Sequence, residues 1–128
     1  MAVKSYRDLD VWQLAMVFVE EVYKLSLRFP ASEKYALSDQ LRRAAVSIPS
    51  NIAEGYGRGT PNEFARFLAF ARGSLYEANT QLELASRLGY LNSKTGLYKM
   101  STRLSKMLTS LAAKTRSRQK GGTIEHET

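Results

Sequence analysis

Chemistry in a protein concentrates on histidine, cysteine and paired carboxylates, and this chain of 128 residues has one His, no Cys and twelve Asp or Glu. The histidine, His126, stands between Glu125 and Glu127. A Glu-His-Glu run can touch a metal ion, but a zinc-type centre needs several ligands converging from an ordered frame, and this tripeptide follows a polar Gly121-Gly122 stretch. Nucleophilic catalysis needs a Ser or Cys held beside a base, and no second histidine is available to serve a serine. Without cysteine there is no disulfide, thiolate metal site or cysteine nucleophile, which fits a reducing compartment. Most carboxylates have ordinary helical partners at i,i+4: Glu20 with Lys24, Asp39 with Arg43, Glu83 with Arg87. Glu54, beside Ile52 and Ala53 and just before a glycine turn, is the exception. We read it as structural, pairing with Arg42, Arg43, Arg58 or Arg72 to tie that turn together. No catalytic residue, metal or cofactor is assigned.

The glycines of Gly55-Tyr56-Gly57-Arg58-Gly59 precede a helix start and superficially form a phosphate cradle. The Lys-Ser/Thr ending of a Walker loop is missing, no strand precedes it, and Glu63 puts a carboxylate where the phosphate would sit. A helix reversal is the better reading. Charge is more informative. Residues 1–83 balance acid and base, whereas between Glu83 and Glu125 there is no acid beside Arg87, Lys94, Lys99, Arg103, Lys106, Lys114, Arg116, Arg118 and Lys120. The formal net charge of +7 therefore comes from one region, which makes an attractive field for polyanions.

The elements that position these residues are helices. The first, about Leu9 to Arg28, puts Val11, Leu14, Ala15, Phe18, Val22 and Leu25 on one face. Ser32 is placed to cap a second, whose inner face is Leu37, Leu41, Ala44, Ala45, Ile48 and Ile52, with Pro49 kinking it near Ser47 or breaking it in two. Gly55, Gly57 and Gly59 supply positive φ for its end and the reversal. Thr60, Pro61 and Glu63 then make a capping box with proline at N1. The third helix buries Phe64, Phe67, Leu68, Ala71, Leu75, Ala78, Leu82, Ala85 and Leu88 and ends at Gly89. Ser93 is placed to cap the fourth, whose apolar side is Leu97, Met100, Leu104, Met107, Leu108 and Leu111. Short turns between such helices imply an all-α, antiparallel up-down-up-down four-helix bundle over residues 1–116, followed by a disordered polar tail at 117–128. The polar start Met1 to Asp10 has no signal-peptide core, and the apolar run Leu14 to Val19 is far short of the roughly 20 residues that span a bilayer, so a soluble, cytoplasmic protein is expected.

Two helices carry more than a core requires. On the first, Trp12, Met16, Val19, Tyr23 and Leu27 form another apolar stripe about 120° from the inner face, which either widens the core or docks against another subunit. Its Trp, Tyr and Met content favours an oligomer interface. On the fourth, Lys99, Arg103, Lys106 and Lys114 fall within an arc of about 80° flanking the apolar face, extended by Arg116, Arg118 and Lys120. Solvated helical faces usually mix signs for i,i+4 pairing; this one accepts repulsion, as a surface contacting phosphates would.

Several stretches carry a resemblance: Leu9-x-Val11-Trp12-x-x-Ala15; Phe29-Pro30-x-x-Glu33; Gln40-Leu41-Arg42-Arg43-Ala44-Ala45-x-Ser47-Ile48-Pro49-x-Asn51-Ile52-Ala53-Glu54-Gly55; Glu63-Phe64-x-Arg66-Phe67-Leu68; and Ala71-Arg72-Gly73-Ser74-Leu75-x-Glu77. They resemble the bacterial four-helix bundle proteins known as 23S rRNA intervening-sequence proteins, over roughly Tyr6 to Leu91. The resemblance implies an antiparallel bundle assembled as a homopentamer. It also implies kinship with the accessory variability protein of diversity-generating retroelements, a basic barrel that binds nucleic acid and its reverse transcriptase. It transfers no catalytic role. Our expectation is a non-enzymatic, homo-oligomeric bundle that binds nucleic acid, structured RNA or an RNA-protein assembly, through helix four and the tail. The competing expectation is a protein-interaction scaffold such as a reverse-transcriptase adaptor.

Overall fold

The computed structural model describes residues 3–92 and 95–118. Among them are four long helices and no strand: α1 (Asp10–Ser26), α2 (Leu37–Gly57), α3 (Pro61–Arg87) and α4 (Leu97–Arg118), with short 3₁₀ turns at Tyr6–Asp8 and Ala31–Glu33. Each helix packs on its neighbours in chain order and α4 closes back on α1. The α2–α3 seam is the most extensive and the α1–α4 seam the least. Cross-links run in opposite order on successive helices. Gly55 abuts Phe67 while Ser47 bonds Ser74 across α2 and α3, and Arg72 reaches Thr109 while Asn79 bonds Ser101 across α3 and α4. These are antiparallel pairings. The core lies along the bundle axis, with Phe18, Leu41, Ile48, Ile52, Leu68, Leu75, Leu82, Leu104 and Leu108 essentially sealed from solvent. Burial of that kind is the dominant favourable term in folding.

The inner faces predicted from periodicity match the buried set closely, with Leu14, Leu25, Met100 and Met107 half-buried at its edge. Leu88 is the exception at 50% exposure. It lies past the last turn of α3, where Gly89 takes φ 81° and Tyr90 N–H bonds back to Ala85 O at 2.9 Å, a glycine-reversed helix end that turns position 88 outward. Helix α2 runs unbroken through Pro49, so the chain does not divide there; Pro49 is itself buried. Ser32 does not cap α2. It sits in the 3₁₀ turn, five residues before the helix, and Glu33 does the work instead: its Oε1 accepts from Leu37 N–H at 3.4 Å, and its Oε2 accepts from the Tyr90 hydroxyl at 2.9 Å. That bond to the carboxylate holds the Tyr90 hydroxyl above its ordinary pKa. Thr60 caps α3 as expected, accepting from Glu63 N–H at 3.3 Å, but the Glu63 carboxylate turns to Arg66 at 3.2 Å. Ser93, expected to cap α4, lies outside the described residues. Thr95 Oγ1 accepts from Leu97 N–H at 3.4 Å. Helix α4 extends through Ser117 and Arg118, two residues expected to begin the tail; positions 119–128 of that tail lie outside the described residues.

The glycines of the α2–α3 connection divide their labour differently from expectation. Only Gly59 uses positive φ, at 85°. Gly55 is inside α2, and a Cβ there would overlap the Cβ of Phe67, so its hydrogen is what lets α2 and α3 approach. Of the four arginines expected as alternatives for Glu54, Arg58 is the one that pairs with it, and the other three have different partners. Glu54 meets Arg58 at 2.9 Å, and Arg58 also lies over the Phe67 ring, 4.9 Å from its centroid. Arg43 pairs with Asp39 at 2.9 Å, Arg42 donates to Ser26 Oγ at 2.8 Å, and Arg72 donates to Thr109 Oγ1 at 3.2 Å. Lys24 meets Glu21 at 3.5 Å, in place of Glu20.

Gly55→Ala should lower the melting temperature, at a cost of about 1–3 kcal/mol for overpacking, because the obstruction is a Cβ held by backbone. Gly73→Ala, in α3 with open space where its Cβ would go, should leave stability equal or raise it by up to about 1 kcal/mol through helix propensity. Thermal melts followed by circular dichroism separate the two signs. Glu54→Gln should cost no more than about 1 kcal/mol, since Glu54 and Arg58 are 55% and 48% exposed and water screens the pair. A loss well beyond that in the same melts would mean that Glu54 serves more than Arg58.

Candidate nucleic-acid interface

Helix α4 is held on two sides by different chemistry. Leu97, Leu104, Leu108 and Leu111 enter the core, and polar cross-links fasten the flank facing α3. Ser101 Oγ donates to Asn79 Oδ1 at 2.6 Å, Arg72 reaches Thr109, and the Tyr98 hydroxyl points to Leu82 O at 3.5 Å. The solvent-facing side carries the cations. Lys99, Arg103, Lys106 and Lys114 are exposed. Lys106 and Lys114 rim a cleft of about 310 Å³ between α4 and the start of α1, floored by Val11, Met107 and Leu111, with Asp10 and Ser110 also lining it. Lys99, Arg103 and Lys106 border a shallower hollow of about 460 Å³ beside Tyr98.

These four cations form one edge along α4, of which Lys106 and Lys114 reach the α1–α4 cleft. None of them is in an ion pair among the described residues, whereas the pairs that do form join residues of α1, α2 and α3 or their immediate ends: Glu21–Lys24, Asp39–Arg43, Glu54–Arg58, Glu63–Arg66 and Glu83–Arg87. Lys99 and Arg103 stand four residues apart and Arg103 and Lys106 three, spacings at which like charges repel by a few tenths of a kcal/mol, roughly 0.2–0.5 per pair. Arg116 is exposed but about 200° round the helix from Lys114, so it leaves the stripe. Arg118 is half-buried at the end of α4, and Lys120 lies outside the described residues.

The second stripe of α1 divides. Trp12 and Val19 are half-buried against the chain's own core, with Trp12 packed edge-on to Tyr6 at 5.2 Å and Arg7 over its ring at 5.8 Å. Met16, Tyr23 and Leu27 stay exposed at 38%, 43% and 77%. Arg42 covers one face of Tyr23, 4.9 Å from its centroid, and exposed Val46 borders the same hollow on α2. Sequence reading missed a second cationic-aromatic cluster, in which Arg66 lies 5.2 Å from the centroid of exposed Phe70 and Phe70 packs edge-on to Phe67 at 5.3 Å. The i,i+4 spacing of Arg66 and Phe70 was the available signal.

Among the described residues, no group of three His, Cys, Asp or Glu is placed to hold a metal ion, and no helix is long and apolar enough to cross a membrane. The tripeptide Glu125-His126-Glu127 lies outside them. In a crystal structure at 1.70 Å, a protein of unknown function from the S23 ribosomal protein family of Bacteroides thetaiotaomicron has a similar fold. Its TM-score is 0.74 at 24% identity, over 80% of this chain and 95% of that one. None of the curated proteins matches this chain. The family model described as 23S rRNA-intervening sequence protein matches residues 7–110, which include all of α1, α2 and α3 and most of α4. The chain belongs to that family.

Proposed function

We propose that this protein is a non-enzymatic, self-associating helical bundle that binds nucleic acid, structured RNA or an RNA-protein assembly, by its phosphates. The observation that carries this reading is the exposed edge of Lys99, Arg103, Lys106 and Lys114, without ion pairs among the described residues while pairs form elsewhere. Such an edge contacts a phosphate backbone and reads no base, so binding is electrostatic and tolerant of sequence. The reference to 23S rRNA in the family's description and to ribosomal protein in the neighbour's favours RNA as the polyanion. Exposed Met16, Tyr23 and Leu27, with Val46 alongside, are the self-association face. The pentamer implied by the sequence resemblance would repeat the basic edge around a ring and multiply a weak contact by effective concentration. The same apolar face supports the second reading, a scaffold or reverse-transcriptase adaptor that engages protein.

Filter binding across a salt series, with several unrelated RNA and DNA sequences, tests the first reading. Each phosphate contact contributes about −0.7 to −0.9 to the slope of log affinity against log salt, so Lys99→Glu with Arg103→Glu and Lys106→Glu should flatten it by about 2 to 3. Equal affinities for wild type and the triple variant, or no binding at low salt, favour the scaffold. Self-association is read by light scattering, where a single species of 14.4 kDa at tens of micromolar would exclude it. Met16→Glu with Leu27→Glu should dissociate the assembly and preserve helicity, since neither side chain is buried in the chain's own core.

A further inference from the structure

The cleft between α1 and α4 joins an apolar floor of Val11, Met107 and Leu111 to a cationic rim of Lys106 and Lys114. Its volume of about 310 Å³ exceeds the roughly 150 Å³ of apolar space that admits a benzene ring, so an aliphatic side chain fits. Its occupant must present one apolar group flanked by negative charge. The chain itself supplies such a segment. After Arg118 come Gln119, Lys120, Gly121, Gly122 and Thr123, then Ile124, Glu125, His126 and Glu127. Ile124 is the only hydrophobic residue of this stretch, and Glu125 and Glu127 are the only acids after Glu83.

We infer that the Ile124-Glu125-His126-Glu127 segment docks in the α1–α4 cleft of its own chain, with Ile124 on the apolar floor and Glu125 and Glu127 beside Lys106 and Lys114. The distances permit it. Leu111 lies seven residues back from Arg118, about 10 Å along the helix at 1.5 Å per residue, while the six residues from Arg118 to Ile124 reach about 20 Å when extended. The surplus accommodates a reversal, and the adjacent glycines Gly121-Gly122 are the residues best suited to one. Asp10 also lines the cleft, which leaves the two lysines a net single positive charge over it and makes the contact weak on its own. The short tether compensates by holding the segment at high effective concentration. Docked, the segment neutralises part of the basic edge. That it would thereby compete with nucleic acid rests on the function proposed above; the docking does not.

The absence of cysteine gives a clean test by disulfide trapping in the full chain, without nucleic acid. Thr123→Cys keeps Ile124 and both glutamates and is paired with Ser110→Cys, in the cleft, or with Thr109→Cys, one residue away on the flank facing α3; the tether alone favours the nearer Ser110, so the charge variants carry the discrimination. The Ser110 pair should oxidise to an internal disulfide at least about tenfold faster, as local concentration in the cleft requires. Lys106→Glu with Lys114→Glu should erase that preference, and adding Glu125→Lys with Glu127→Lys should restore it. Ile124→Asp should also erase it. Equal rates for the two pairs, a preference indifferent to the charge changes, or a disulfide-linked dimer in place of the internal bond each overturns the inference. Trapping that succeeds while nucleic acid fails to bind would leave the docking intact and refute only the competition.

Discussion

The close approach of α2 to α3 at Gly55 is the constraint from which the rest of this bundle is organised. With only a hydrogen at that position, the helix backbone comes against the Phe67 Cβ, and the seam continues through Ser47 and Ser74, whose hydroxyls meet at 2.8 Å. Asn51 Nδ2 adds a bond to Ser47 O at 2.8 Å, satisfying polar groups that the tight seam would otherwise strand. Large Phe64 and Phe67 side chains fill the space beside the glycine. A bundle in which one seam is drawn this tight must distribute the remaining side-chain volume over the others. The α1–α4 seam is the least extensive, and the amphipathic cleft opens there.

The electrostatics follow the same asymmetry. Where helices are drawn together, cations are spent locally: Arg58 on Glu54 and the Phe67 face, Arg42 on Ser26 and Tyr23, Arg72 on Thr109. Each is a strap between elements or a cover for an aromatic ring, with the guanidinium serving both as donor and as a plane that stacks. The α4 cations stay exposed, Lys106 and Lys114 at the open seam, and three of the four are lysines, whose flexible stems can lie along apolar surface while their ammonium groups stay in water. The like charges along α4 work slightly against helix stability, and the leucines and the Ser101–Asn79 bond hold the helix in spite of them. A fold that tolerates unneutralised charge on one helix keeps a field outside itself, and a field of that sign gathers polyanions whatever their sequence.

The sequence by itself determined the helices, their inner faces and the segregation of charge. Those properties are periodic or additive along the chain: apolar residues at spacings of three and four, Thr60 and Pro61 at a helix start, and an acid-free run, all legible before any neighbour is known. The tertiary structure decided which neighbour each side chain met. Gly55 is indistinguishable from a turn glycine until Phe67 is placed opposite it. Glu33 caps α2 locally, but it also accepts from the Tyr90 hydroxyl, 57 residues along the chain, only because the bundle returns the end of α3 to the same place. Glu54 took its local partner Arg58, while Arg42 and Arg72 were claimed by hydroxyls on other helices. Trp12 and Leu27 belong to one stripe in sequence, yet the fold draws the first against its core and leaves the second in solvent. The α4 cations were visible as a stripe, but that Lys106 and Lys114 rim a cleft depends on α1 packing less fully against α4 than α2 does against α3. Packing of that kind is set by side-chain volumes on facing helices together, which no single segment's pattern contains.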